Sequence, residues 1–439
     1  MKIKNKYLSS LKFRKVLNDL KRRPADAAKD LNISEQKINN ILNGKEDLDM
    51  ALINKAISIW PINHSDLFPI IDDTTSGYKK FNKKNSDQTS RVMYRKGREY
   101  YNYKDTVMSK VSTFRPEWIQ ELVIVKDNKP DNPDVVYNNG HFLHQFTYFI
   151  GPVNFYYIDK DNKKKVAKMN TGDSMYISPY IPHSFTTRKN NKNELGLILA
   201  LTYSGNIDSD VLNELSAIGN KNANNYNLEF LNKKNIFKNN LEYFLNIGSI
   251  DKKYFEKETK IKLKKLFKNK KNLSIKILNK IANFLNVNLK DLMPPIKFDQ
   301  VKIQKYSKCK KWFIKHKKNK IYKIVELSNA AQLPCSKAME LEVISERKHN
   351  TIFRIPCHQY IYNIGETSCD ITLNNKKEKL NSGDSIYIKP NISHLFTKKS
   401  KLLILRIAGK LHHENLYHLS TLSKENFNRL IVDNKPWFN

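Results

Sequence analysis

The stretch GDSMYISPYIPHSFTTR (Gly172 to Arg188) returns further along the chain as GDSIYIKPNISHLFTKK (Gly383 to Lys399). A second pair runs ahead of it: HQFTYFIG (His144 to Gly151) reappears as HQYIYNIG (His358 to Gly365). Each copy has strand-like alternation, then a Gly-Asp turn, then a second alternating segment closing on a histidine. One β-rich unit is therefore used twice, and each copy serves as a control for the other.

Each unit has a helical preface. ADAAKDLNISEQKINNILNG (Ala25 to Gly44) has helical periodicity, a turn at Leu31-Asn32-Ile33, Ser34 as N-cap and Gly44 as the terminating residue. It resembles a Cro-type helix-turn-helix and closes on HSDLFP (His64 to Pro69). LSIKILNKIANFLNVNLKDLMPP precedes the second unit and closes similarly on DLMP (Asp291 to Pro294). The GDS turn followed by Pro182-His183 resembles the double-stranded β-helix, or cupin. The expected fold class is α+β, a tandem repeat of a helix-turn-helix-like α domain plus a cupin domain. The expected boundaries are a helical domain at 1–72, a linker at 73–92 and a catalytic cupin at 93–210. A linker at 211–240, a second helical domain at 241–297 and a degenerate, metal-free cupin at 298–439 follow.

A chain of 439 residues has room for about two to four domains. It has no run of about 18 uncharged apolar residues, so no transmembrane helix is expected. MKIKNKYLSSLKFRKVLNDLKRR lacks the apolar core of a signal peptide. The four cysteines, Cys309, Cys335, Cys357 and Cys369, show no CxxC spacing. That excludes a disulfide framework and a thiolate zinc site, and fits a cytoplasmic location. The formal charge of +35 admits a polyanion partner. However, Lys far outnumbers Arg and is spread almost everywhere, as in KKNKIYKIVEL, so the excess reads as compositional. Its field draws small anions toward the protein in either case.

The chemistry lies in YNNGHFLHQFTYFIGP (Tyr137 to Pro152), which offers imidazoles and an amide but no carboxylate. On a strand, residues an even number apart share a face, so His141 and Gln145 point together and His144 points away. His183 on the returning strand is the third candidate ligand. A two-histidine, one-glutamine facial set leaves positions open for substrate and dioxygen, as non-haem iron oxygenase sites require. In the second copy Ile355 stands where His141 stands in the first. Gln359 and His394 are left without a second imidazole, so that half is expected to hold no metal.

From the helix-turn-helix to the second cupin, the chain resembles the hydroxyethylphosphonate dioxygenase and methylphosphonate synthase family of non-haem iron enzymes. The dioxygenases carry a glutamate six residues before the second histidine, and here that position is Ile177. The synthases use a glutamine four residues after the first histidine, and here that residue is Gln145. YRKGREYYNY (Tyr94 to Tyr103) is similar to the segment that gives the phosphonate an arginine and a tyrosine, here Arg95 and Tyr103. Asn138 matches a phosphonate-contacting asparagine. Lys21 matches a lysine that reaches into the active site, so Lys21 and Tyr103 are also candidate catalytic groups. The family uses a basic residue from the second half, for which Arg406 is the nearest candidate. An arginine, an ammonium and neutral donors suit a phosphonate oxyanion.

The resemblance implies an Fe(II)-dependent oxygenase that needs no 2-oxoacid. Its substrates would be 2-hydroxyethylphosphonate and O2. The products would be methylphosphonate and bicarbonate, formed by carbon–carbon cleavage. The alternative is the sister dioxygenase, which gives hydroxymethylphosphonate and formate. A second alternative is a DNA-binding regulator with a ligand-sensing cupin. Its recognition helix, SEQKINNILNG, has one Lys and no Arg, so nucleic acid is not an expected partner. A homo-oligomer is compatible with the pattern, which does not fix the oligomeric state.

Overall fold

Alternating apolar residues set down the strands, and the two copies of the repeat build sheets of matching order. The computed structural model describes residues 2–437 apart from 113, 192–193, 204, 206, 227–235, 269–273, 294–296, 347–348, 412 and 434. The strands are β1 (Tyr78–Phe81), β2 (Arg91–Arg95), β3 (Arg98–Asp105), β4 (Arg115–Glu121), β5 (Ile124–Val125), β6 (His144–Ile150) and β7 (Val153–Ile158). Next come β8 (Lys164–Met169), β9 (Ser174–Ile177), β10 (His183–Arg188), β11 (Gly196–Tyr203), β12 (Val301–Gln304), β13 (Lys311–His316) and β14 (Asn319–Glu326). The last are β15 (Ser336–Val343), β16 (His358–Asn363), β17 (Cys369–Leu373), β18 (Lys376–Leu380), β19 (Ser385–Ile388), β20 (His394–Thr397) and β21 (Ser400–Ile407).

One large sheet has the order β12-β9-β6-β11-β4-β3-β2, and the other the order β1-β19-β16-β21-β15-β14-β13. The smaller sheets are β5-β10-β7-β8 and β18-β17-β20. Pairing is antiparallel apart from the short parallel contact of β10 with β5. In the first half, Phe149, Ile177 and Ile198 of the large sheet pack against Val153, Phe155 and Phe185 of the small one. Each such burial contributes about 1.5–3 kcal/mol. The opposite face of the large sheet, with Tyr148, Leu199 and Leu201, packs against Tyr360, Leu403 and Leu405 of the second half. The molecule is thus a mixed α/β protein built on several antiparallel sheets.

The halves exchange strands. β12 pairs with β9 in the first half, and β1 pairs with β19 in the second. The repeated Gly-Asp turn is the socket for the exchanged segment. Asp173 accepts from Lys305 Nζ at 2.7 Å and from the Tyr306 amide at 2.9 Å. Gly172 has φ +89°, and a Cβ there would come within 2.8 Å of the Tyr306 ring. In the other copy Asp384 accepts from the Lys83 amide at 2.9 Å, and a Cβ on Gly383 would meet the Lys83 side chain. This corrects two expected boundaries. Segment 73–92 is no linker, because β1 and the helix Lys83–Gln88 lie in it, and the segment from 298 opens with a strand of the other half's sheet. The expected linker 211–240 carries the helix Asn220–Ala223 and much of the helix Ser209–Ile218, while 227–235 lie outside the described residues.

Ser34 caps the helix Glu35–Leu42, its hydroxyl accepting from the Lys37 amide, and Ile38, Ile41 and Leu42 turn inward. They join Phe13 and Trp60 in an N-terminal helical core. Leu241, Phe255 and Ile281 form a second one. Pro294, the last residue of the DLMP motif, lies outside the described residues. All four cysteines are free. No helix among the described residues is long and apolar enough to cross a membrane.

Candidate metal centre

His141, Gln145 and His183 come together in the first half. The His141 and His183 rings lie edge to face with centroids 5.2 Å apart. His141 Nε2 is 3.0 Å from Gln145 Oε1. Two details fix which atoms face the centre. His141 Nδ1 lies 2.8 Å from the Leu143 carbonyl, and His183 Nδ1 lies 2.8 Å from the Ile181 carbonyl. A carbonyl only accepts, so both protons are assigned to Nδ1 and both Nε2 atoms present lone pairs. Gln145 donates its amide N–H to Thr147 Oγ1 at 2.9 Å, which turns Oε1 the other way. A lone pair on nitrogen thus faces a lone pair on oxygen at 3.0 Å. That contact is repulsive unless a cation lies between them, and the donor set therefore fits a metal ion. Burial holds the His183 imidazole down to about 3, so it is neutral at pH 7. Among the described residues no three His, Cys, Asp or Glu side chains gather, and the third member of this group is an amide.

His141 does not lie on a strand, contrary to the shared-strand expectation. β6 begins at His144, and His141 lies just ahead of the bend at 142–143 that leads into it. Asn138 Oδ1 accepts from the Gly140 amide at 3.0 Å and from the His183 amide at 2.8 Å, tying the two ligand segments together. Gly140 has φ +72°, and a Cβ there would strike the Tyr180 backbone at 2.6 Å, so only glycine fits. His144 points away as expected, its Nδ1 2.6 Å from the Tyr176 hydroxyl. Ile177 is buried and is the cross-strand partner of Gln145. Positions 145 and 177 therefore lie side by side across the β6–β9 pair.

Arg95 donates to the Val136 carbonyl at 2.6 Å and reaches Ser184 Oγ, beside His183, at 3.4 Å. Its guanidinium lies over Tyr100 at 5.0 Å and over Tyr101 at 4.7 Å. Among the described residues no carboxylate comes within ion-pair distance of it, so its charge is available to an anion. Asn138 turns its amide nitrogen toward His183 Nε2 at 3.2 Å, placing a donor at the same centre. Tyr103 packs edge-on against Tyr101 at 5.9 Å, and burial pushes its hydroxyl up to about 12. It joins the group through Tyr101 and does not touch the histidines.

Lys21 and Arg406 are placed elsewhere. Lys21 is exposed after the first helix, its ammonium bonded to the Asp19 carbonyl at 2.8 Å and 6.0 Å from the Trp437 ring centroid. The structure does not bring it to the centre. Arg406 lies in the second half, opposite Gln359, just as Thr202 lies opposite Gln145. Its Nε donates to Gln359 Oε1 at 3.2 Å, and Phe353 stacks on His394 with centroids 5.7 Å apart. A guanidinium thus lies beside Gln359 in the second half. Thr147, which orients the amide, was not singled out from the sequence. Its place two residues after Gln145, on the same face, was the available signal.

No family model matches the chain. A methylphosphonate synthase from Nitrosopumilus maritimus (strain SCM1) is 44% identical over 431 residues, spanning 96% of this chain and 94% of that one. A solved Streptomyces albus HEPD with substrate 2-hydroxyethylphosphonate and Fe(II) bound is 30% identical, with a TM-score of 0.90 and 99% of both chains covered. A cadmium-bound PhpD shares the fold, with a TM-score of 0.74 at 16% identity over 97% of this chain and 99% of that one. With 44% identity sustained along almost the whole of both sequences, the chain belongs to the methylphosphonate synthase family.

Proposed function

We propose that His141, Gln145 and His183 hold one Fe(II) and that Arg95, Asn138 and Tyr103 receive the phosphonate of 2-hydroxyethylphosphonate. The enzyme is an Fe(II)-dependent oxygenase that converts this substrate and O2 to methylphosphonate and bicarbonate. Bound Fe(II) supplies dioxygen activation and a template for substrate oxygens. The protein supplies the rest. Arg95 offers a planar fork of donors to the oxyanion, and Asn138 adds a neutral donor. Tyr103, kept protonated by burial, stays a donor through the working pH range. Together they hold the carbon–carbon bond against the open face of the three ligands. We assign the two β-rich halves to the cupin architecture, each behind a helical domain, the second being scaffold. We place the protein in the reducing cytoplasm.

The carrying observation is the convergence of two imidazole nitrogens and an amide oxygen with no carboxylate among them. Gln145 and Ile177 lie side by side, so the ligand exchange alters charge more than shape. Product choice then depends on the geometry of the pocket around the ligands and not on the amide alone. Gln145→Glu is expected to retain Fe(II) and still release mainly methylphosphonate, read by phosphorus NMR. Hydroxymethylphosphonate as its main product would make the amide itself the selector. Ile177→Glu, assayed beside it, tests the neighbouring ligand position.

A further inference from the structure

Glu121 closes β4 fully buried, and neither carboxyl oxygen has a hydrogen-bond partner among the described residues. β3 sets Tyr101 directly opposite it and Tyr103 opposite Ile119, one step along the same face. The Tyr101 ring in turn carries the Arg95 guanidinium. The second half shows what packing alone asks for here. Glu121 pairs with Gly196 at the start of β11, and Val343 pairs with Ser400 at the start of β21. Val343 is just as buried, so an apolar side chain fills the equivalent place. An unpaired buried carboxyl costs stability that valine does not. A group kept at such a cost in one copy of a repeat calls for a functional reason.

We infer that Glu121 is a positioning residue for the phosphonate end of the substrate, backing Tyr103 and Arg95 so that hydroxyl and guanidinium face the incoming oxyanion. This rests on the assignment of Arg95 and Tyr103 given above. Burial raises the Glu121 carboxyl well above the usual carboxylate range, while the Arg95 charge draws it down; in its protonated form it offers one donor and one acceptor. The Tyr103 hydroxyl has no hydrogen bond among the described residues, and the acid is its diagonal neighbour across the ladder. The protonated form also leaves the charge of Arg95 for the substrate, whereas a carboxylate would offset it.

The test compares Glu121→Val, the choice made in the second half, with the isosteric and neutral Glu121→Gln. Both are made in the full chain loaded with Fe(II). Glu121→Val is expected to melt no lower than the parent and to bind Fe(II) equally well. Its KM for 2-hydroxyethylphosphonate should rise about tenfold with little change in kcat, the size of one weakened charge-assisted hydrogen bond. Glu121→Gln should return KM to near the parent value. A Val variant with parental KM, or a Gln variant as impaired as Val, overturns the inference. Glu121→Met serves the same arm if the Val variant folds poorly. Arg95→Ala, run alongside, separates the two readings. If it raises KM while Glu121→Val does not, only the role of Glu121 fails, and if neither raises KM, the assignment of Arg95 fails with it.

Discussion

His183→Ala and, separately, His141→Ala abolish Fe(II) binding and turnover, while His394→Ala in the second half leaves both in place. The expectation follows from the number and state of the donors. His183 is 4% exposed, neutral at pH 7 and locked by its Nδ1–H, so its lone pair is set before any metal arrives. Without it the centre keeps one imidazole and one amide oxygen, too few to retain Fe(II) against water. Loss of an outer-shell partner alone typically costs about 10–100-fold in metal affinity, so loss of a ligand exceeds that. His183→Gln keeps more of the buried volume and separates ligand loss from misfolding. Anaerobic Fe(II) titration and substrate-dependent O2 uptake check each variant. Iron retained by His183→Ala but lost from His394→Ala would assign the centre to the wrong half.

Arg95→Ala has the next largest expected effect. Its guanidinium is half-buried, carries no carboxylate partner among the described residues, and is held over two tyrosine faces beside the residue that follows His183. A phosphonate docked there loses a charge-assisted hydrogen bond worth about 1.5–3 kcal/mol when the side chain is truncated. KM for 2-hydroxyethylphosphonate should therefore rise roughly 10- to 150-fold, with a smaller change in kcat. Arg95→Lys restores the charge without the planar fork and should fall between the two. Steady-state kinetics by O2 uptake reads all three. An unchanged KM in Arg95→Ala would remove this residue from the site.

Much of this was legible in the sequence because the chain repeats itself. The two GDS segments located both sheets. The exchange of His141 for Ile355 marked where the two copies differ in imidazole content. The helix capped by Ser34 was visible from its polar start and apolar spacing. The strand exchange was not legible, since β1 and β12 are four-residue strands inside polar stretches and their partners lie in the other half. The Gly-Asp turn could be seen, but its task as a socket appears only when Tyr306 or Lys83 lies against it. Period-two reasoning suits Gln145, which lies on β6, and does not reach His141, because the chain bends between them. Lys21 and Arg406 entered through the family resemblance, and a match in sequence does not say where a long, flexible side chain ends. Glu121 gave no signal at all. A single glutamate in an alternating strand reads as an exposed residue until the sheet that covers it is in place.

The central claim is that a two-histidine, one-glutamine iron centre in the first half makes methylphosphonate. Phosphorus NMR of the Fe(II)-loaded protein turning over 2-hydroxyethylphosphonate in the presence of O2 tests it most directly. The account predicts methylphosphonate as the main phosphorus-containing product, with bicarbonate as its one-carbon partner. Hydroxymethylphosphonate with formate, or substrate left unconsumed, would contradict it.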